Sequence, residues 1–105
     1  MKATIWHKTD RDNIFNPYEP GHAIECVFEF EVTADEAGLL GELPEKVYMA
    51  FNGFPTPAWE RRSEDYYALE LRSLSVGDVL VVGEIAFAVE RFGWKVVSIP
   101  SEVTS

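Results

Sequence analysis

The chain has 105 residues, 47% of them apolar and 13% aromatic, with a formal net charge of −9. This length suits one domain, residues 1–105, with a modest core, and the apolar content is too high for a disordered chain. The acidic balance disfavours broad nucleic-acid binding through a basic face, and no apolar run approaches the ~20 residues of a membrane helix.

The charge is unevenly placed. Twelve of the eighteen acids but three of the nine bases lie between residues 19 and 70, so the two flanks together are neutral. A basic protein partner and ordinary solubility both fit that distribution. The single Cys26 leaves no internal disulfide and no multi-cysteine zinc site, and an inert buried thiol is its default reading. The opening MKATIWHKTD lacks the apolar segment of a secretory signal, so the expected location is the cytoplasm.

In chain order, residues 3–8 read as a short strand. Residues 9–22 form a long polar connection with Pro17, Pro20 and Gly21, anchored by Phe15 and Tyr18. Residues 23–32 alternate clearly. Ile24, Cys26, Phe28, Phe30 and Val32 fall on one expected face, and Glu25, Val27, Glu29 and Glu31 on the other. The carboxylate row Glu25, Glu29, Glu31 is a candidate surface for a basic partner or a divalent cation, although such a row is more often a solvated face that discourages edge pairing. Thr33-Ala34-Asp35-Glu36 fits a capping box, and Gly38 and Gly41 keep that helix short. Pro44 suits the first turn of a second helix over residues 45–51, with Leu43, Val47 and Phe51 on its buried stripe and Asn52-Gly53 ending it.

Phe54-Pro55-Thr56-Pro57 cannot be regular structure. A charged segment over residues 60–65 then leads to residues 66–71, which read as another strand. Ser75-Val76-Gly77-Asp78 is a tight turn, and Val79, Leu80, Val81 and Val82 are an apolar run suited to a strand buried on both faces. Gly83-Glu84 gives a further turn. Residues 86–91 alternate as a strand, Phe92-Gly93 is a hairpin tip, and residues 94–98 return. The expected fold is α+β, a curved and mostly antiparallel sheet of about five strands, with a partly open barrel as an alternative form, and one or two short helices.

Three features carry a family resemblance: Val47-Tyr48-Met49-Ala50-Phe51-Asn52; Trp59; and Arg72-Ser73-Leu74-Ser75-Val76-Gly77-Asp78-Val79 with Phe87-Ala88-Val89 and Phe92-Gly93-Trp94. Together they resemble small uncharacterised bacterial and archaeal proteins, often on mobile elements, loosely of the YodL-like domain type. The likeness spans residues 47–98, and Ala50 stands where that pattern has Thr. It implies a shared fold and no established activity. The strand entry at Val76-Gly77-Asp78-Val79 is also similar in kind to partly open PUA or ASCH barrels, which bind RNA or modified bases.

Arg72, Ser73, Ser75 and Asp78 form one candidate ligand site, with Arg72 holding a carboxylate or phosphate. The competing reading has Ser75 and Asp78 bonding the turn and Arg72 pairing with Glu70 or Asp65. Asn52, Trp59, Tyr66 and Tyr67 form a candidate stacking groove; otherwise Asn52 caps a helix and Trp59 anchors the proline loop. His7 and His22 lack the spacing of a catalytic triad or, with Cys26, of a metal site. No metal or cofactor is expected. The leading functional expectation is a non-catalytic accessory module whose acidic surface recognises a protein partner, nucleic-acid mimicry being one version. A PUA-like nucleic-acid or nucleotide reader using Arg72, Trp59 and Tyr66 is the alternative, and a small enzyme built on a histidine the third.

Overall fold

A computed structural model of the chain describes residues 1–9 and 16–100. Its five-stranded antiparallel sheet contains β1 (Lys2–Lys8), β2 (Ile24–Glu31), β3 (Val79–Val82), β4 (Ile85–Val89) and β5 (Trp94–Val97), in the order β2-β1-β3-β4-β5. Three short helices lie between β2 and β3: α1 (Ala34–Gly38), α2 (Leu43–Ala50) and α3 (Glu60–Ala68), the last entered through a 3₁₀ turn, Pro57–Trp59. The fold is therefore α+β. The sheet does not close into a barrel, because β2 and β5 are both edge strands.

The Val79–Val82 run is buried on both faces. One face packs against the helices through Ala3, Ile5, Phe30, Leu80, Val82 and Phe87. The other carries a smaller cluster in which Tyr18 and Ile24 meet Val79, Val81, Ala86 and Ala88. Expected Phe15 lies outside the described residues.

On the helical face the centre is aromatic. Phe51 stacks on Tyr66 at 4.4 Å between centroids, and Phe28, Phe30 and Trp59 meet Phe51 edge-on. Offset and edge-on ring pairs of this kind add roughly 0.5–1.5 kcal/mol each beyond their burial. The capping box of α1 forms as the sequence implies, with Glu36 accepting from Thr33 N at 2.8 Å. The same carboxylate takes two bonds from Arg62 at 2.9 Å, and that guanidinium lies 4.1 Å over the Trp59 ring. A five-residue helix too short to stand alone is thus tied to α3.

Three sequence expectations are corrected. Residues 66–71 are not a strand: Tyr66 to Ala68 close α3, whose inner side is Trp59, Ser63 and Tyr66, spaced i, i+4, i+7. Ser63 is held there by its bond to the Ala50 carbonyl at 2.7 Å. Second, β2 does not alternate throughout. Ile5 pairs with Phe28 but Trp6 with Cys26, so Val27 is an extra residue that reverses the faces before it. Ile24 therefore packs on the opposite face from Phe30, and Cys26 is exposed rather than buried. Third, the carboxylate row is broken. Glu25 stands opposite His7, on the helical side, whereas Glu29 and Glu31 pair with Thr4 and Lys2 on the other. Glu29 and Glu31 also meet Lys2 and the N-terminal ammonium at 3.7 and 3.3 Å.

Candidate functional site: an aromatic cleft beside a closed polar knot

The starts of β3 and β5 and the ends of β1 and β4 gather at one end of the sheet, through the pairs Trp6–Val79, Val79–Ala88 and Val89–Trp94. Two turns stand there side by side. The first, Ser75 to Asp78, needs glycine third, since Gly77 has φ +95°. The turn closes with Asp78 N donating to the Ser75 carbonyl at 3.0 Å.

Asp78 is fully buried, and its carboxylate accepts four bonds: from Lys8 N and Arg72 Nη2 at 2.8 Å each on Oδ1, and from Arg72 Nη1 at 2.7 Å and Ser75 N at 2.8 Å on Oδ2. Arg72 also donates to the Ser73 carbonyl and Ser75 Oγ. These bonds to Asp78 hold the Arg72 pKa above its ordinary value. The sequence reading brought the right four residues together, but the partner of Arg72 is Asp78 rather than Glu70 or Asp65. The bidentate face that a phosphate or carboxylate ligand would need is filled. Ser73 Oγ is shared with the Tyr67 hydroxyl at 2.8 Å.

The other proposed groove does not exist as an open surface. Trp59 and Tyr66 are 1% and 0% exposed, so neither ring is free to stack on a base. Asn52 donates to the Tyr48 carbonyl at 2.7 Å, a bond at the end of α2. Tyr66 instead joins a buried chain. Its hydroxyl donates to the Arg72 carbonyl, which leaves His7 Nε2, 2.6 Å away, as the donor to the phenol oxygen. Burial lowers the His7 pKa, aided by Arg72 and opposed by Asp78 and Glu25; burial raises that of Tyr66. His22 lies apart, accepting from Glu19 N at 3.3 Å. Among the described residues no three His, Cys, Asp or Glu side chains could hold a metal ion.

The second turn is open to solvent. Glu90 to Gly93 link β4 to β5, and Phe92 at the tip is 96% exposed. Beside it lies a cleft of about 290 Å³ lined by Glu45 and Tyr48 of α2, by the turn and by Trp94. Tyr48 meets Trp94 edge-on, at 6.3 Å between centroids. Glu45, Glu90 and Arg91 have no ion pair among the described residues. Across the sheet a polar hollow of about 300 Å³ shares Glu90 and adds Lys95, Tyr18 and His22.

Sequence reasoning missed this cleft. Its signals were an aromatic residue at a hairpin tip, where no core can reach it, and Tyr48 one position off the Leu43–Val47–Phe51 stripe. Comparison of the chain with family models, with curated proteins and with solved structures returned no match. No helix among the described residues is long and apolar enough to cross a membrane.

Proposed function

We propose that the protein is a non-catalytic binding module that recognises a basic segment of a protein partner at the cleft between α2 and the β4–β5 turn. The observation that carries this reading is the grouping of Phe92, Tyr48 and Trp94 around an open cleft whose two uncommitted carboxylates, Glu45 and Glu90, outnumber its one base, Arg91. Aromatic faces attract a lysine or arginine head group, and nearby carboxylates supply its counter-charge. An exposed aromatic cluster with a charged rim is also the usual composition of a protein contact. The net charge of −9 steers basic partners toward the molecule as a whole. A nucleic-acid mimic built on Glu25, Glu29 and Glu31 is less favoured, because the bulge places Glu25 on the other face.

Calorimetric titration with a Lys- and Arg-rich synthetic peptide tests the proposal. Binding that weakens as salt rises, and that is lost in the double variant Tyr48→Ala/Phe92→Ala, supports it. Absence of binding at low salt, or an unchanged double variant, contradicts it.

A further inference from the structure

The two edges of the sheet are not equivalent. β2 is bulged at Val27 and lined by exposed Glu25, Glu29 and Glu31, and bulges and edge charges both deter an added strand. β5 has no bulge and a single charge, the exposed Lys95, whose partner Ala88 belongs to the cluster on the opposite face from the helices; its pairing with β4 is regular over all four residues, and Val96 is 64% exposed.

The direction of its backbone groups follows from the ladder. Val89 donates to the Asp78 carbonyl at 2.9 Å and accepts from Gly77 N at 3.0 Å, so both its polar groups face β3. The pair Val89–Trp94 is therefore a non-hydrogen-bonded one. In an antiparallel ladder the pairs alternate, so Lys95 and Val97 bond to β4. The N–H and C=O of Trp94 and Val96 point away from the sheet, along the free edge. Trp94 and Val96 also share the helical face on which the aromatic cleft opens, since Val96 pairs with Phe87 of that face.

We infer that the β5 edge accepts an extended segment of the basic partner as a sixth strand, with one Arg or Lys side chain in the cleft and an apolar side chain against Val96. This rests on the proposed function and adds its binding mode. Main-chain bonds to Trp94 and Val96 supply affinity, and residues two apart on the segment supply specificity, because alternate side chains of a strand share a face. A second copy of the chain is the poorer occupant: each copy carries −9, whereas a basic segment meets a cleft whose two carboxylates, Glu45 and Glu90, outnumber its one base, Arg91.

The test uses a short peptide in which Arg and Val alternate with Thr, the same peptide N-methylated on the strand-facing amides, and two variants of the full chain. Val96→Pro removes one outward N–H without touching a bond to β4, as proline on an edge strand allows; Val96→Thr keeps that N–H. Circular dichroism and melting verify that both variants fold. Strand addition predicts roughly a tenfold or greater loss of affinity for Val96→Pro and for the methylated peptide, and near wild-type affinity for Val96→Thr. If the parent peptide binds but Val96→Pro and the methylated peptide bind equally well, strand addition is overturned while the cleft reading stands. If the parent peptide does not bind at low salt, both are overturned. Concentration-dependent dimerisation abolished by Val96→Pro would replace the basic segment with a second copy and overturn the inference.

Discussion

The turns at Ser75–Asp78 and Glu90–Gly93 are neighbours, joined by the bonds of Val89 to Gly77 and Asp78, yet they have opposite characters. In the first, a buried carboxylate spends four acceptor positions on Lys8, Arg72 and Ser75, tying β1 and the segment after α3 to the start of β3. In the second, an aromatic ring stands in solvent and the two charges, Glu90 and Arg91, have no ion pair among the described residues. A residue set rich in chemistry, Arg-Ser-Ser-Asp, proves architectural because its groups satisfy one another. The plainer set at the hairpin is the available one. Density of polar residues in a sequence does not identify a site; what distinguishes one is polar and aromatic groups left unused by the fold.

The contrast breaks most sharply under Asp78→Ala. That change leaves Arg72 and two backbone N–H groups without their acceptor, so urea denaturation should show a loss of about 3–5 kcal/mol. Phe92→Ala, which removes a far larger side chain, should stay within about 0.5 kcal/mol of the parent. A chain that tolerates the first as well as the second refutes the division between the turns.

Glycine substitutions sharpen it next. Gly77 and Gly93 both have positive φ, +95° and +78°, so alanine at either costs about 1–2 kcal/mol from backbone conformation alone. A Cβ at Gly77 would also sit 2.9 Å from the Asn16 carbonyl oxygen, whereas at Gly93 it meets nothing within 4 Å. Gly77→Ala should therefore lower the melting temperature well beyond Gly93→Ala. A smaller pair of effects follows from the tyrosines. Tyr66→Phe removes a hydroxyl shared by His7 and Arg72 and should cost about 1–2 kcal/mol; Tyr48→Phe, on the open side, should leave stability unchanged.

The smallest expected effect is a pH dependence. His7 is held below its ordinary value of 6.5, chiefly by burial. The unfolded chain then binds the extra proton first, so the stabilisation is complete above about pH 6.5 and is lost as pH falls through that value toward the folded pKa. Melting temperature should decline between pH 7 and 5, and His7→Gln should flatten that decline. Glu36, lowered chiefly by its bond from Arg62, acts with the same sign in a separate window below its ordinary 4.5.

The strands, the capping box of α1 and the Ser-Val-Gly-Asp turn were legible because each is written locally, in alternation, in a Thr-to-Glu spacing, or in a glycine that must take positive φ. The bulge at Val27 was not. The alternation favours an unbroken β2 with Ile24 and Cys26 on the face of Phe28 and Phe30, and the bulge is set by pairing with β1, across the long connection. α3 was missed because Tyr66-Tyr67-Ala68-Leu69 favours a strand locally, while the helix is secured by tertiary burial of Trp59, Ser63 and Tyr66. The cleft was hidden for a similar reason: Tyr48 and Trp94 are brought together only when α2 lies over β5.

The most direct test of the central claim is a backbone amide NMR titration of the intact chain with the Arg- and Val-containing peptide. The account predicts shifts concentrated at Glu45, Tyr48 and residues 90–96, with Arg72, Asp78, Glu29 and Glu31 unmoved. Shifts centred instead on the Arg72–Asp78 turn or on β2 would contradict it.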